Sequence, residues 1–253
     1  MKIKMICLMV VALTVGCSKD VTKPENTNTI TKVAKKAIKL DRPENPENPA
    51  DSIGIIHNQA LAYVYQKLTV KKDFSKDLKK KYVVEYFENR YGGNLMKSID
   101  ERDEIYRRYD NVPILALTKE LPCSDVLAQV VNSIIYAAYE MKVPDDYNTF
   151  KQKIITLEQQ VLKGKIKISR TEADQLLHFT SIIRHSMWFW MEAVPKNENL
   201  NETNFLRGFF RGLLGGLADA HGALVSLFSY MSFRYVLEDA ALDSAMMLLA
   251  FGY

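Results

Sequence analysis

The chain is poor in cysteine and histidine, holds little glycine or proline, and has no large excess of either charge. Three cysteines in 253 residues exclude a disulfide-stapled scaffold. Eleven glycines exclude a collagen-like composition, and the lack of any long heptad run excludes a coiled coil. Thirty-four basic residues against thirty acidic ones leave a net charge of only +4, too balanced for a nucleic-acid binder. The short signatures of zinc peptidases, serine hydrolases, P-loop nucleotide binders and thiol-disulfide enzymes (HExxH, GxSxG, GxxxxGKS/T, CxxC) are missing. What remains is 47% hydrophobic and 25% charged, enough apolar matter for a packed core in one domain of ordinary size plus extras.

The amino terminus carries the sharpest signal. Lys2 and Lys4 precede an apolar run from Met5 to Val15, then Gly16 and Cys17. A run of eleven residues is too short for a spanning helix, which needs about 20, and suits a secretion signal. With Leu13 four residues and Thr14 three residues before Cys17, the stretch resembles the lipobox of bacterial lipoproteins in the looser form familiar from the Bacteroidota type. That resemblance implies cleavage after Gly16, a diacylglyceryl group on the Cys17 thiol and an acyl chain on the new amino group. A thiol is the suitable soft nucleophile for such chemistry. Ser18 stands where an inner-membrane retention aspartate is common, and Lys19-Asp20 offers one acid only, so the expectation is an outer-membrane lipoprotein, its face left open.

Residues 17–50 read as a lipid-anchored flexible tether, with four of the eight prolines and the repeat Pro43-Glu44-Asn45-Pro46-Glu47-Asn48-Pro49. Residues 51–253, expected to be the globular domain, hold 25 basic and 25 acidic residues. The basic run Lys71 to Lys81 is read as a solvated helix face or helix start, with contact to anionic lipid headgroups or a polyanionic glycan as the sharper alternative.

The domain reads as all-α, an irregular multi-helix bundle. Helices are expected from Asp51 or Ser52 to about Leu68, from about Ser75 to Arg90 with a stop at Gly92-Gly93, and from about Leu95 to Tyr109. Others are expected from a Ser124 cap to Lys142, from Asp145 or Asp146 to about Gly164, and from a variant capping box at Thr171 and Asp174 to Ala193. Asn197 to Thr203 reads as a loop, and the last 50 residues as two or three apolar helices. Only Lys165 to Ile168 alternates like a strand.

Two segments belong at the centre. The second half of the Thr171–Ala193 helix is apolar on nearly all sides and carries both tryptophans, which places it mid-bundle. Within it His178, Arg184 and His185 are candidate polar-core or binding residues. The two histidines lie two turns apart, too far to share a metal without a partner helix. His57, Asp219 and His221 are candidates to complete such a site. In the other segment, Gly208, Gly212, Gly216 and Ala220 recur every four residues and offer one face to a closely packed helix. The longest uncharged stretch there, Gly222 to Phe233, is 12 residues and too short to span a bilayer. Cys123, with no histidine near it in sequence, reads as a small buried residue rather than a nucleophile.

The segments Asp51-Ser52-Ile53-Gly54-Ile55-Ile56-His57-Asn58, Ile183-Arg184-His185-Ser186-Met187-Trp188-Phe189-Trp190 and Ala218-Asp219-Ala220-His221-Gly222-Ala223 together resemble a group of gut-type Bacteroidota lipoproteins. These carry a helical domain and a small-residue carboxy-terminal tail, and no agreed activity. The expectation is a lipid-anchored envelope protein acting as a binding or structural module. It has no cofactor, catalytic residue or metal assigned and no nucleic-acid partner; its membrane partner is reached through the anchor, and an envelope protein or glycan partner is left open. Two alternatives stand beside it: a membrane-active, bacteriocin-like protein using the small-residue helices, and an envelope hydrolase with a histidine-based site.

Overall fold

The computed structural model describes residues 40–92, 108, 109, 111–193, 202–230 and 240–242. Among them the fold is all-α, and no described residue is in a strand. The helices follow in the order α1 (Asp51–Lys71), α2 (Lys76–Tyr91), α3 (Ile114–Glu120), α4 (Asp125–Tyr139), α5 (Asp146–Leu162), α6 (Arg170–Ala193) and α7 (Glu202–Tyr230), and Arg108, Tyr109 and residues 240–242 are helical as well. The leader, Cys17 and the tether as far as residue 39 lie outside the described residues, as does the expected helix from Leu95 except Arg108 and Tyr109. So do residues 197–201 of the expected polar loop, whereas Glu202 and Thr203 already belong to α7.

Local chemistry accounts for the helix ends. The Leu127 amide donates to Ser124 Oγ at 3.3 Å, so Ser124 caps α4 as its residue type favours. At the end of α2, Gly92 adopts φ +71°, a conformation costly for residues with a Cβ, and donates back to the Glu88 carbonyl. The start of α6 departs from expectation. The capping box is Ser169 with Glu172: the Glu172 amide donates to Ser169 Oγ at 3.2 Å and the Ser169 amide to Glu172 Oε2 at 2.9 Å. A serine at N-cap with a glutamate three residues on is the stronger pairing, so it overrides Thr171 and Asp174. Glu172 Oε1 also accepts from the Ser124 amide at 2.9 Å, so one carboxylate serves the starts of two helices. These bonds hold the Glu172 carboxyl down at about 2. Residues 165–168 form an irregular loop with Ile166 and Ile168 half-buried; lacking a neighbouring strand, their alternation yields none.

The core is organised around α6, which packs against α1, α4, α5 and α7. Nine consecutive residues, Phe179 to Met187, are buried, so this stretch is covered on every side. Two close approaches set the spacing. A Cβ on Gly54 would lie 2.4 Å from the His185 ring, and Cβ atoms on Gly215 and Gly216 would lie 2.5 Å from Trp190 and 2.4 Å from Met187 Sδ. Glycine at these three places lets α1 and α7 come down onto α6.

The expected boundary of the tether needs correction. Residues 40–50 are part of the fold, not linker. The repeat folds into successive turns closed by the Asn48 amide on the Asn45 carbonyl and the Asp51 amide on the Asn48 carbonyl, both at 3.0 Å. Its period of three turns Asn45 and Asn48 inward while Glu44, Pro46, Glu47 and Pro49 face water. The segment has few apolar groups, and polar partners on α5 and α6 hold it instead.

Candidate functional site

Arg184, at the middle of α6, is fully buried. A buried guanidinium must find partners for its charge and donors. Its Nη2 donates to Asp51 Oδ1 at 2.8 Å and to Glu158 Oε1 at 3.0 Å, and its Nη1 donates to the Pro43 carbonyl. Glu158, equally buried on α5, accepts the side-chain amides of Asn45 at 2.6 Å and Asn48 at 2.7 Å. Asn48 also donates to the Leu177 carbonyl, and the Asn45 backbone amide to Asp51 Oδ2. His185 Nε2 lies 3.1 Å from Asp51 Oδ1. Burial raises the Asp51 carboxyl, but hydrogen bonds from His185 and Arg184 outweigh it and hold Asp51 below the usual carboxylate range. Neighbouring bonds fix the frame: Tyr147 donates its hydroxyl to the Arg184 carbonyl, Ser181 donates to the Asp51 carbonyl and accepts from the Gly54 amide, and Asn58 donates to the His185 carbonyl. Three helices and the amino-terminal segment thus meet on one charged cluster.

A second cluster joins α1, α6 and α7. Asp219 Oδ2 accepts from Ser186 Oγ and from Trp190 Nε1, the latter at 2.9 Å, and lies 3.6 Å from His57 Nε2. His57 and Asp219 are both wholly buried. Burial drives His57 down to about 4 despite hydrogen bonding to Asn58 and the Ala240 backbone, so the imidazole is neutral near pH 7. The serine bonds the aspartate rather than the histidine, which is not the order in which a histidine base activates a nucleophile.

The other candidates sit elsewhere. His178 is half-buried and its Nδ1 lies 2.6 Å from the Asp174 carbonyl of its own helix; burial lowers it. His221 is half-buried on α7. The structure therefore pairs Arg184 and His185 with Asp51, and His57 with Asp219, without gathering four histidines into one site. Among the described residues, no group of three or more His, Cys, Asp or Glu is arranged to hold a metal. A surface groove of about 450 Å³ runs along α5 over Thr149, Gln152, Lys153, Thr156, Leu157 and Gln160, and none of the histidines lines it. The half-buried Cys123 thiol donates to the Thr118 carbonyl at 3.5 Å, and burial raises it, which keeps it protonated.

Of the small-residue series, Gly212, Gly216 and Ala220 are buried; the surroundings of Gly208 lie outside the described residues. Gly216 meets α6, but so does Gly215, which falls outside the four-residue period. Sequence reasoning also missed Asn45, Asn48, Asp51 as a charged partner, Glu158, Ser186 and Gly54. One signal was there for Glu158: it is the lone acid among the buried positions Tyr147, Phe150, Ile154 and Val161 of α5. No family model, curated protein or solved structure matches the chain.

Proposed function

We propose that this chain is a lipid-anchored, non-catalytic module of the cell envelope, moored through Cys17 at the outer membrane and presenting its helical domain as a binding or structural body. The observation that carries the non-catalytic part is where the reactive side chains are used. Arg184, His185, Asp51 and Glu158 are bonded to one another and to the residue 43–51 segment, Asp219 is bonded to Ser186 and Trp190 of α6, and the wholly buried His57 is held beside Asn58 and Asp219. Groups spent on holding the core together are not offered to a substrate.

The same cluster suits a moored protein. The chain enters the domain through residues 40–50, and any pull from the anchor reaches the core at Pro43, Asn45 and Asn48. Charge-assisted bonds are among the stronger polar contacts, and here they join the entry segment directly to the central helix. The fit of Gly215 and Gly216 against Trp190 and Met187 favours a core role for α7 over a lipid-facing one.

Detergent phase partitioning of the protein made in a bacterial host with lipoprotein processing tests the anchor. The processed chain is expected in the detergent phase and the Cys17→Ser variant in the aqueous phase. Equal partitioning of both would overturn the proposal.

A further inference from the structure

We infer that the tip of the α1–α2 hairpin is a second, weaker contact with an anionic lipid surface. α1 ends at Lys71, Lys72 takes a left-handed conformation at φ +54°, and α2 begins at Lys76. At the apex stands Val70, 77% exposed, the most exposed large hydrophobic residue among those described. Lys71, Lys72, Lys76 and Lys81 around it are exposed and Lys80 is half-buried; Asp73 and Asp77 are the only acids among residues 70–81. Lys67 is engaged elsewhere, 3.2 Å from Glu85 and over the Tyr63 ring, so it does not add to the tip.

The asymmetry is large for a balanced domain. Residues 70–81 hold six lysines, of which Lys79 is buried, and two aspartates, whereas residues 51–253 hold 25 basic and 25 acidic residues, so the remainder carries the compensating negative charge. Such a molecule orients in the field of an anionic surface with the tip leading. The protruding valine selects the occupant. A polyanionic glycan offers cations a partner but gives an exposed apolar apex nothing to enter, whereas a bilayer interface offers anionic headgroups and apolar matter beneath them.

Reach permits this orientation, which rests on the proposed anchor. The 24 residues from Cys17 to Leu40 can span at most about 75 Å, against about 30 Å for the length of α1, so either end of the domain can face the membrane.

The test is flotation of the chain beginning at Ser18, which keeps every described residue and lacks the anchor, with vesicles of neutral phosphatidylcholine or the same lipid with 30% phosphatidylglycerol. Binding is expected only to anionic vesicles, with loss at high salt. Each lysine contributes about fivefold to partitioning at such a surface, so K71Q/K72Q/K76Q is expected to weaken binding about 100-fold. Val70→Ser is expected to weaken it about tenfold. No binding to anionic vesicles at low salt, binding unchanged in the triple variant, or retention on a polyanionic glycan resin without vesicle binding would each overturn the inference. Because the chain tested lacks Cys17, its failure is separable from that of the anchor, which the processed chain reports.

Discussion

Replacing Arg184 with methionine keeps most of the side-chain volume and removes the charge at the centre of the fold. Three bonds go: those to Asp51, Glu158 and the Pro43 carbonyl. Glu158 is left fully buried with only the two asparagine amides, and Asp51 with His185 and the Asn45 amide. Hydrogen bonds to charged groups contribute about 1.5–3 kcal/mol each, and removing one member of a buried ion pair costs about 3–5 kcal/mol. The two asparagines continue to solvate Glu158, so about 4 kcal/mol is expected. For a folded unit of this size that corresponds to a fall in Tm of roughly 10 °C, read by circular dichroism. The loss also has a location. A protease cutting after glutamate is expected to cleave Arg184→Met at Glu44 or Glu47 under conditions that leave the parent intact, because the entry segment has lost its hold on α6. A fall of less than about 2 °C, with the segment still protected, would mean that Arg184 does not hold the entry segment.

Other outcomes follow from the same geometry. Gly54→Ala is expected to destabilise by about 1–3 kcal/mol through overpacking on the His185 ring, even though alanine favours a helix by up to about 1 kcal/mol; urea unfolding reads the sign. With His57 near 4 in the folded state and near 6.5 when unfolded, the unfolded chain binds the extra proton between those values, so stability falls as pH drops from about 6.5 to about 4. His57→Gln is expected to flatten that part of the stability–pH curve, and an unchanged slope contradicts the assignment. Glu172→Ala removes one carboxylate from the starts of α4 and α6 and is expected to cost about 1 kcal/mol in thermal unfolding, with no vesicle-binding change.

The parts of the fold legible in sequence were those set by local chemistry. The Ser124 cap and the Gly92 stop need only near neighbours, and the apolar second half of α6 announces its central place because no face of it tolerates water. Asn45 and Asn48 were not legible. Their proline-rich surroundings have a linker's composition, and what orders them is a carboxylate more than 100 residues away. Gly215 escaped because a strict period of four cannot describe a helix of 3.6 residues per turn against a bulky indole. Arg184 and Asp219 stood out as charges in apolar segments, but only the folded chain shows that their partners come from within it.

The proposal above rests first on its lipid anchor at Cys17. Mass spectrometry of the amino-terminal peptide from membrane-purified protein tests it most directly. The expected peptide starts at Cys17 with a diacylglyceryl thioether and an acylated amino group; an unmodified Cys17 thiol, or a leader still attached, would overturn the proposed anchoring.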